Sequence, residues 1–371
     1  MNTTALIMAG GRGERFWPRS RKSLPKQFLS LTDDGKTMIQ LTVERILPLV
    51  KMEDIYIATN KNYKDLVRSQ LPGIPEENIL CEPVGRNTAP CIGLGAAHIG
   101  KKYENALMLV LPSDHLIKFN NMFLSALREA CRVAMEDDNL VTLGITPTYP
   151  ETGYGYIKFN PQKTLGGAYQ VERFVEKPTL EVAKEYLETE EYLWNSGMFI
   201  WKLSSIWKNM EKYMEDFVDL QLQVHSKTSP LLKGMKDKLS RQINSLKEVD
   251  ATTRYELLTR LESMPKHNKV CHGDFNPSNV IVGKNGKMTV VDWAHATQGN
   301  ASADAAMTYL LFALKDQETA DLYMKIFCKK SDTAKQYVQQ WLPIVAAAQL
   351  TKDNELEKDF LMKWIDVIDY Q

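Results

Sequence analysis

The sequence predicts an α/β protein in two parts: a doubly wound, mostly parallel sheet up to about residue 216, then a mostly helical part over 217–371. Three observations predict it. Short apolar runs alternate with segments of helical period through the first part, the pattern of parallel strands covered by helices on both faces. The first of these runs breaks abruptly into Gly10, Gly11 and Gly13, a turn that lets the backbone come close to a ligand. From about Phe217 the apolar runs give way to charged, amphipathic stretches.

Taken in order, Ala5 to Met8 reads as a buried strand that ends at the glycine turn. Ile39, Val43, Ile46, Leu47 and Val50 recur at helical spacing, Ile55 to Ala58 reads as a strand, and Tyr63 to Leu71 as a helix. Ile79 to Cys81, Leu107 to Leu111 and Leu140 to Leu143 are further strands, with helices near 88–102 and 121–136. Another strand starts at Tyr169 and closes in Glu176-Lys177-Pro178. In the second part, Leu231 to Lys247 and Thr252 to Leu261 read as amphipathic helices. Val280 to Val282 and Met288 to Val291 read as a hairpin that turns at Asn285-Gly286. Ala305 to Leu314 and Ala334 to Ala348 read as helices.

The composition is that of a globular chain, 44% hydrophobic and 25% charged, with room for two domains. Lys+Arg and Asp+Glu both number 46, so the net charge is zero. That balance argues against a dedicated nucleic-acid or membrane surface, though not against a local basic pocket. The 5 cysteines are scattered, with no close pair to suggest zinc, and their odd number argues against a disulfide framework. No signal peptide is visible, and no apolar run approaches the roughly 20 residues that span a bilayer. The expectation is a soluble, cytoplasmic protein.

Successive N–H groups in a glycine turn make an anion-binding concavity suited to phosphates. Arg12 and Arg15 add guanidinium groups that can pair phosphate oxygens in two places at once, and Lys26, held by Pro25, adds a point charge. The turn is not a P-loop, because no Gly-Lys-Ser/Thr follows, and Gly-Gly-x-Gly has the wrong spacing for the dinucleotide fingerprint. The glycines alone fit a plain strand-to-helix connection equally well.

The stretch from Ala5 to Phe28 is more specific. With Phe16-Trp17-Pro18 and Pro25-Lys26-Gln27-Phe28 included, it resembles the signature of the sugar nucleotidyltransferase family, in its mannose-1-phosphate guanylyltransferase branch. The resemblance implies that Gly10, Gly11, Arg12 and Gly13 cradle the nucleotide, and that Arg15, Lys26 and Asp114 are catalytic. Glu82-Pro83-Val84-Gly85-Arg86-Asn87-Thr88-Ala89-Pro90 resembles the nucleotide-base loop, which brings in Glu82, Asn87 and Thr88. Taken alone, Asn87 or Thr88 is better read as a helix N-cap. Leu111-Pro112-Ser113-Asp114-His115 follows, where the resemblance makes Asp114 a Mg²⁺ ligand and His115 reads as a packed loop residue. Glu151-Thr152-Gly153-Tyr154-Gly155-Tyr156-Ile157 is similar to the sugar loop. Glu176-Lys177-Pro178 and Trp194-Asn195-Ser196-Gly197-Met198-Phe199 resemble, in family order, the segments that bind hexose hydroxyls and sugar phosphate. Gly153, Tyr154, Gly155, Glu176, Lys177, Asn195 and Gly197 are the implied sugar-binding residues. An isolated Glu-Lys pair would be a surface ion pair worth little.

The implied reaction joins GTP and mannose 1-phosphate into GDP-mannose and pyrophosphate, with Mg²⁺ and no nucleic-acid or membrane partner; a homodimer is left open. Family members continue with a second metal-binding aspartate in an Asp-x-Gly-x-Trp setting and a β-helix-like region. Neither occurs here, so a truncated member is expected.

The second part carries its own motif. His272-Gly273-Asp274, with Asn279 five positions on and Val291-Asp292-Trp293 behind, resembles the catalytic and metal loops of the aminoglycoside phosphotransferase and choline kinase-like family. The resemblance implies Asp274 as catalytic base and Asn279 and Asp292 as Mg²⁺ ligands. No glycine-rich loop with a strand lysine precedes them, so the expectation is a kinase-like C-lobe without its nucleotide-covering lobe. The alternatives to guanylyl transfer are therefore a small-molecule phosphotransferase and a nucleotide-binding fusion without turnover.

Overall fold

The computed structural model describes residues 1–11, 16–82, 88–283 and 287–365, and the chain divides into two compact units, Met1–Lys208 and Asn209–Gln371. Arg12, Gly13, Arg15, Asn87 and the Asn285-Gly286 turn lie outside the described residues.

The first unit begins with β1 (Asn2–Met8), α1 (Met38–Ile46), β2 (Ile55–Asn60), α2 (Lys64–Gln70) and β3 (Ile79–Glu82). It continues with α3 (Thr88–Lys102), β4 (Ala106–Pro112), α4 (Asn120–Glu136) and β5 (Val141–Ile145). Then come β6 (Tyr156–Leu165), β7 (Ala168–Val175), α5 (Leu180–Thr189), β8 (Tyr192–Lys202) and α6 (Leu203–His225), within which the division falls. One 8-stranded sheet has the order β3-β2-β1-β4-β8-β6-β7, with β5 also on β8. Its central strand shows why both faces are covered. Ala5 and Ile7 point into a core shared with Ile39 and Val43 of α1 and Leu127 of α4. Leu6 points the other way, against α3, where a Cβ on Gly95 would lie only 2.6 Å from Leu6 Cδ2. A strand buried on both faces has no polar alternation, which is why β1 reads as a continuous apolar run.

The α/β class is as expected, and the parallel pairing of β3, β2, β1 and β4 ends at β4. Beyond it β8, β6, β7 and β5 pair antiparallel. The physical reason is local: β6 and β7 form a hairpin through Gly166 and Gly167, both at positive φ (53° and 85°). This reversal positions the site. β8 runs against β4, with Leu107 opposite Lys202 and Val110 opposite Phe199, so the start of β8 lies at the same sheet edge as the end of β4.

The second unit adds α7 (Met235–Ser245), α8 (Ala251–Ser263), β9 (Lys269–Cys271), β10 (Val280–Val282), β11 (Met288–Val290) and β12 (Thr297–Gly299). Its remaining helices are α9 (Ala301–Ala313), α10 (Gln317–Ser331), α11 (Lys335–Gln339), α12 (Leu342–Leu350) and α13 (Glu355–Ile365). Helices α9 and α12 are buried almost all round and centre the core. Two sequence expectations are corrected. The helix expected over Ala334 to Ala348 is two helices that part at Gln340 and Trp341. Pro343 sits in the first turn of α12, where a missing N–H costs nothing; inside a continuous helix it would break the ladder. The helix expected from Leu231 starts instead at Met235, after an extended Gly234.

Candidate active site

The glycine turn leaves β1 and is held from behind. Gln27, buried in the short helical turn Lys26–Phe28, donates its Nε2 to Ala9 O (2.8 Å) and Gly11 O (2.9 Å). Thr59 Oγ1 also donates to Ala9 O (3.1 Å), and Ser113 Oγ to Met8 O (2.8 Å). The carbonyls of Met8, Ala9 and Gly11 thereby find side-chain donors where the strand gives way to the turn. In Pro25-Lys26-Gln27-Phe28 the sequence marks Lys26 by its charge, while nothing local marks Gln27 as the support of the turn.

Lys26 Nζ lies 3.5 Å from Asp114 Oδ2, with the lysine mostly buried and the aspartate half exposed. Lys26 comes from the segment behind the turn and Asp114 from just beyond β4, the strand paired with β1. The ammonium also lies 4.5 Å from the centre of the Phe16 ring. Gly10 faces Glu82 at the end of β3: a Cβ there would stand 2.9 Å from Glu82 Oε2. Partial burial pushes the Glu82 carboxyl above its ordinary range. Thr88 is exposed as the first residue of α3. Burial pulls the His115 imidazole below its ordinary range, which agrees with a packed loop residue.

The sugar-loop residues gather where β8, β6 and β7 begin and end. Asn195 N donates to Gly155 O (2.8 Å). A Cβ on Gly155 would meet Glu176 Oε1 at 3.3 Å and Asn195 Cβ at 3.6 Å, so these three residues share one corner. Asn195 Oδ1 accepts from Gly197 N (3.0 Å), and Gly197, within β8, takes a left-handed φ of 69°. Lys177 also takes positive φ (37°), a conformation uncommon without glycine. Gly153 N donates to Glu151 Oε1 (2.7 Å), and Tyr154 packs edge-on against Trp194 with ring centres 5.5 Å apart.

In the second unit, Asn279 Nδ2 donates to Asp274 Oδ2 (3.0 Å) and Asp274 O (2.9 Å). Val291 N donates to Asn279 O (2.9 Å), which brings the neighbouring Asp292 to the same loop, in a left-handed turn of φ 60°. The three polar residues of the motif therefore converge. What holds the loop was not legible: Asp304, fully buried on α9, accepts from Gly273 N (2.6 Å), His272 N (3.2 Å) and His225 Nε2 (2.8 Å). Burial alone pushes the Asp304 carboxyl up, but these donors outweigh it and hold it below the ordinary range. The available signal was a lone carboxylate in the otherwise apolar stretch Ala301 to Ala313. His225, Cys271 and Asp304 lie close enough to suggest a metal, but the aspartate oxygens already hold donors and burial pushes the thiol up.

Families with these two kinds of site generally use divalent metal ions. The residues fit that chemistry. Asp114 offers carboxylate oxygen at a half-exposed edge, and Asn279 gives its amide N–H to Asp274, leaving its oxygen as a hard donor on the loop that Asp292 adjoins.

Two families match this chain, over ranges that overlap at 197–239. Residues 197–335 match the phosphotransferase enzyme family. The mannose-1-phosphate guanylyltransferase of Salmonella montevideo is 46% identical over 206 residues, 54% of this chain and 43% of its own length. Xanthan biosynthesis protein XanB of Xanthomonas campestris pv. campestris is 44% identical over 216 residues, 58% of this chain and 45% of its own length. This chain thus spans less than half the length of those curated relatives. A solved structure described as mannose-1-phosphate geranyltransferase from Thermus thermophilus is 34% identical, covering 71% of this chain and 66% of that one, with a TM-score of 0.51. Residues 4–239 match the nucleotidyl transferase family, more than half of the 371, and the chain belongs to that family.

Proposed function

We propose that this chain makes GDP-mannose and pyrophosphate from GTP and mannose 1-phosphate, and that residues 1–216 carry the reaction with 217–371 as a separate kinase-like domain. The observation that supports it most is the Lys26–Asp114 pair at the sheet edge onto which β8 turns the Gly155–Glu176–Asn195 corner. A triphosphate beside one and a sugar phosphate in the other would bring two anions together, which is the difficulty of the reaction. A phosphate oxygen of mannose 1-phosphate attacks the α-phosphorus, the bond to the bridging β-oxygen breaks, and pyrophosphate leaves. No protein nucleophile is needed, because positioning and charge stabilisation supply the acceleration.

Lys26 stabilises charge on the triphosphate and leaving group, with Arg12 and Arg15 as further cationic partners. Gly10, Gly11 and Gly13 are assigned to the phosphates, Glu82, Asn87 and Thr88 to the base, and Gly153, Tyr154, Lys177 and Gly197 to the sugar side. Mg²⁺ on Asp114 would neutralise phosphate charge. The test is incubation with GTP, Mg²⁺ and mannose 1-phosphate, with both products measured. Absence of pyrophosphate with this and other hexose 1-phosphates would overturn the reading.

The Asp274–Asn279 contact and the adjacent Asp292 favour a second reading, phosphate transfer to a small hydroxylated molecule. That activity would release a nucleoside diphosphate rather than pyrophosphate, so the same reaction mixtures tell the two apart.

A further inference from the structure

The second unit contains a cavity of about 100 Å³ beside the Asp274 loop, between α7, α9 and α12. That is several times the roughly 10–15 Å³ a single water needs. Its lining combines the apolar Leu239, Met307 and Val345 with the polar Lys238, Lys352 and Gln349.

Lys238 Nζ donates to His295 O (2.9 Å), and among the described residues no carboxylate pairs with it. Its burial, together with the charge of Lys352, lowers its pKa, so the site disfavours the cation it contains. Lys352 Nζ stands 3.7 Å from Asp274 Oδ1, too far for a hydrogen bond. Asp304 also lines the cavity, but its oxygens are held by the Gly273 and His272 amides and by His225. Asp304 is thus fully hydrogen-bonded, whereas Lys238 has a carbonyl partner only and Lys352 a long ion pair to Asp274.

Gln349 supplies an independent observation. It is 5% exposed, and its Nε2 donates to Glu357 Oε2 (3.1 Å). A carboxylate only accepts, so that contact fixes which way the amide points. Gln349 Oε1 is then buried with no hydrogen-bond partner. Buried polar atoms are rarely left so, and Gln349 is one of the residues that line this cavity.

We propose that this cavity binds a small hydroxylated oxyanion, either a carboxylate or a phosphate monoester. Its anionic group lies on Lys238 and Lys352, and a hydroxyl donates to Gln349 Oε1. A cationic amino alcohol, the obvious acceptor for a choline kinase-like lobe, would meet two like charges. Lys352 also reaches Asp274, so the anion is taken beside the residue that resembles a catalytic base. The proposal is independent of nucleotidyl transfer, which is read by pyrophosphate.

The test is calorimetric titration of the full chain with glycerol 3-phosphate and with D-glycerate, and with choline and glycerol as contrasts. At least one anionic probe is expected to bind while choline and glycerol do not, and the tighter of the two tells phosphate from carboxylate. Lys238→Met and Lys352→Ala should each weaken that binding at least tenfold, and Gln349→Leu should weaken it too. Lys26→Ala should leave it unchanged, which separates this cavity from the nucleotide side. Lys352 is exposed, so its substitution stays decisive even if the buried positions unfold the chain. Binding of choline, binding of neither anion, or anion binding indifferent to Lys352→Ala would overturn the proposal.

Discussion

Lys26 Nζ and Asp114 Oδ2 stand 3.5 Å apart on segments brought together by the pairing of β1 with β4. A lysine suits a phosphate and an aspartate suits a cation, so under the proposed function substrate and metal would part this pair.

Lys26→Ala is expected to lower kcat for pyrophosphate release about 10²–10³-fold, the cost of removing one preorganised group that stabilises developing charge. Asp114→Asn should abolish the metal-dependent turnover while the fold persists. Pyrophosphate release over a Mg²⁺ titration, with circular dichroism alongside, checks both.

Gln27→Leu should act through the glycine turn rather than through any contact with substrate. It strips the donor shared by Ala9 O and Gly11 O; Ala9 O keeps Thr59 Oγ1 and Gly11 is exposed, so the cost is that of ordinary hydrogen bonds, about 0.5–1.5 kcal/mol each. A lowered Tm together with a raised KM for GTP is the expected pair of results. An unchanged KM would separate Gln27 from the nucleotide site.

Gly155→Ala puts a methyl group 3.3 Å from Glu176 Oε1 and 3.6 Å from Asn195 Cβ. The Glu176 side chain must shift, which should raise KM for the sugar phosphate several-fold and change KM for GTP little. Steady-state kinetics with each substrate varied in turn gives the answer.

Asp304→Ala removes the acceptor of two loop amides and the partner of His225 at one stroke. Breaking a buried charged contact of this kind costs about 3–5 kcal/mol. Denaturant melting of the full chain, followed by near-ultraviolet signal, should show the second unit unfolding earlier. Because the folded pKa lies below the ordinary 3.8, the stabilisation is complete above that value and is lost as pH falls through the folded value. Acid unfolding of the parent should therefore carry a proton-linked step that Asp304→Asn lacks.

Much of this molecule was legible along the chain. The run from Ala5 to Met8, the helical spacing of Ile39, Val43 and Ile46, and the five-residue step from Asp274 to Asn279 are local patterns. Their physical content is one strand, one helix face and one loop, each set by near neighbours. The antiparallel return beyond β4 was not legible, since strand direction depends on which strand a segment meets. Nor was the break at Trp341, where an apolar stretch hid the stop that Pro343 imposes.

The sequence by itself determined which groups each unit offers: the glycines, Lys26 and Asp114 in the first, and the Asp274 loop in the second. Only the tertiary structure decided what holds them. Gln27 reaches Gly11 from 16 positions away and Asp304 reaches Gly273 from 31, while Lys238 on α7 and Lys352 beyond α12 meet at one cavity. Periodicity and turn chemistry report interactions between residues close in sequence. A hydrogen bond or a charge contact across a core depends on how whole elements pack, and no local pattern encodes that.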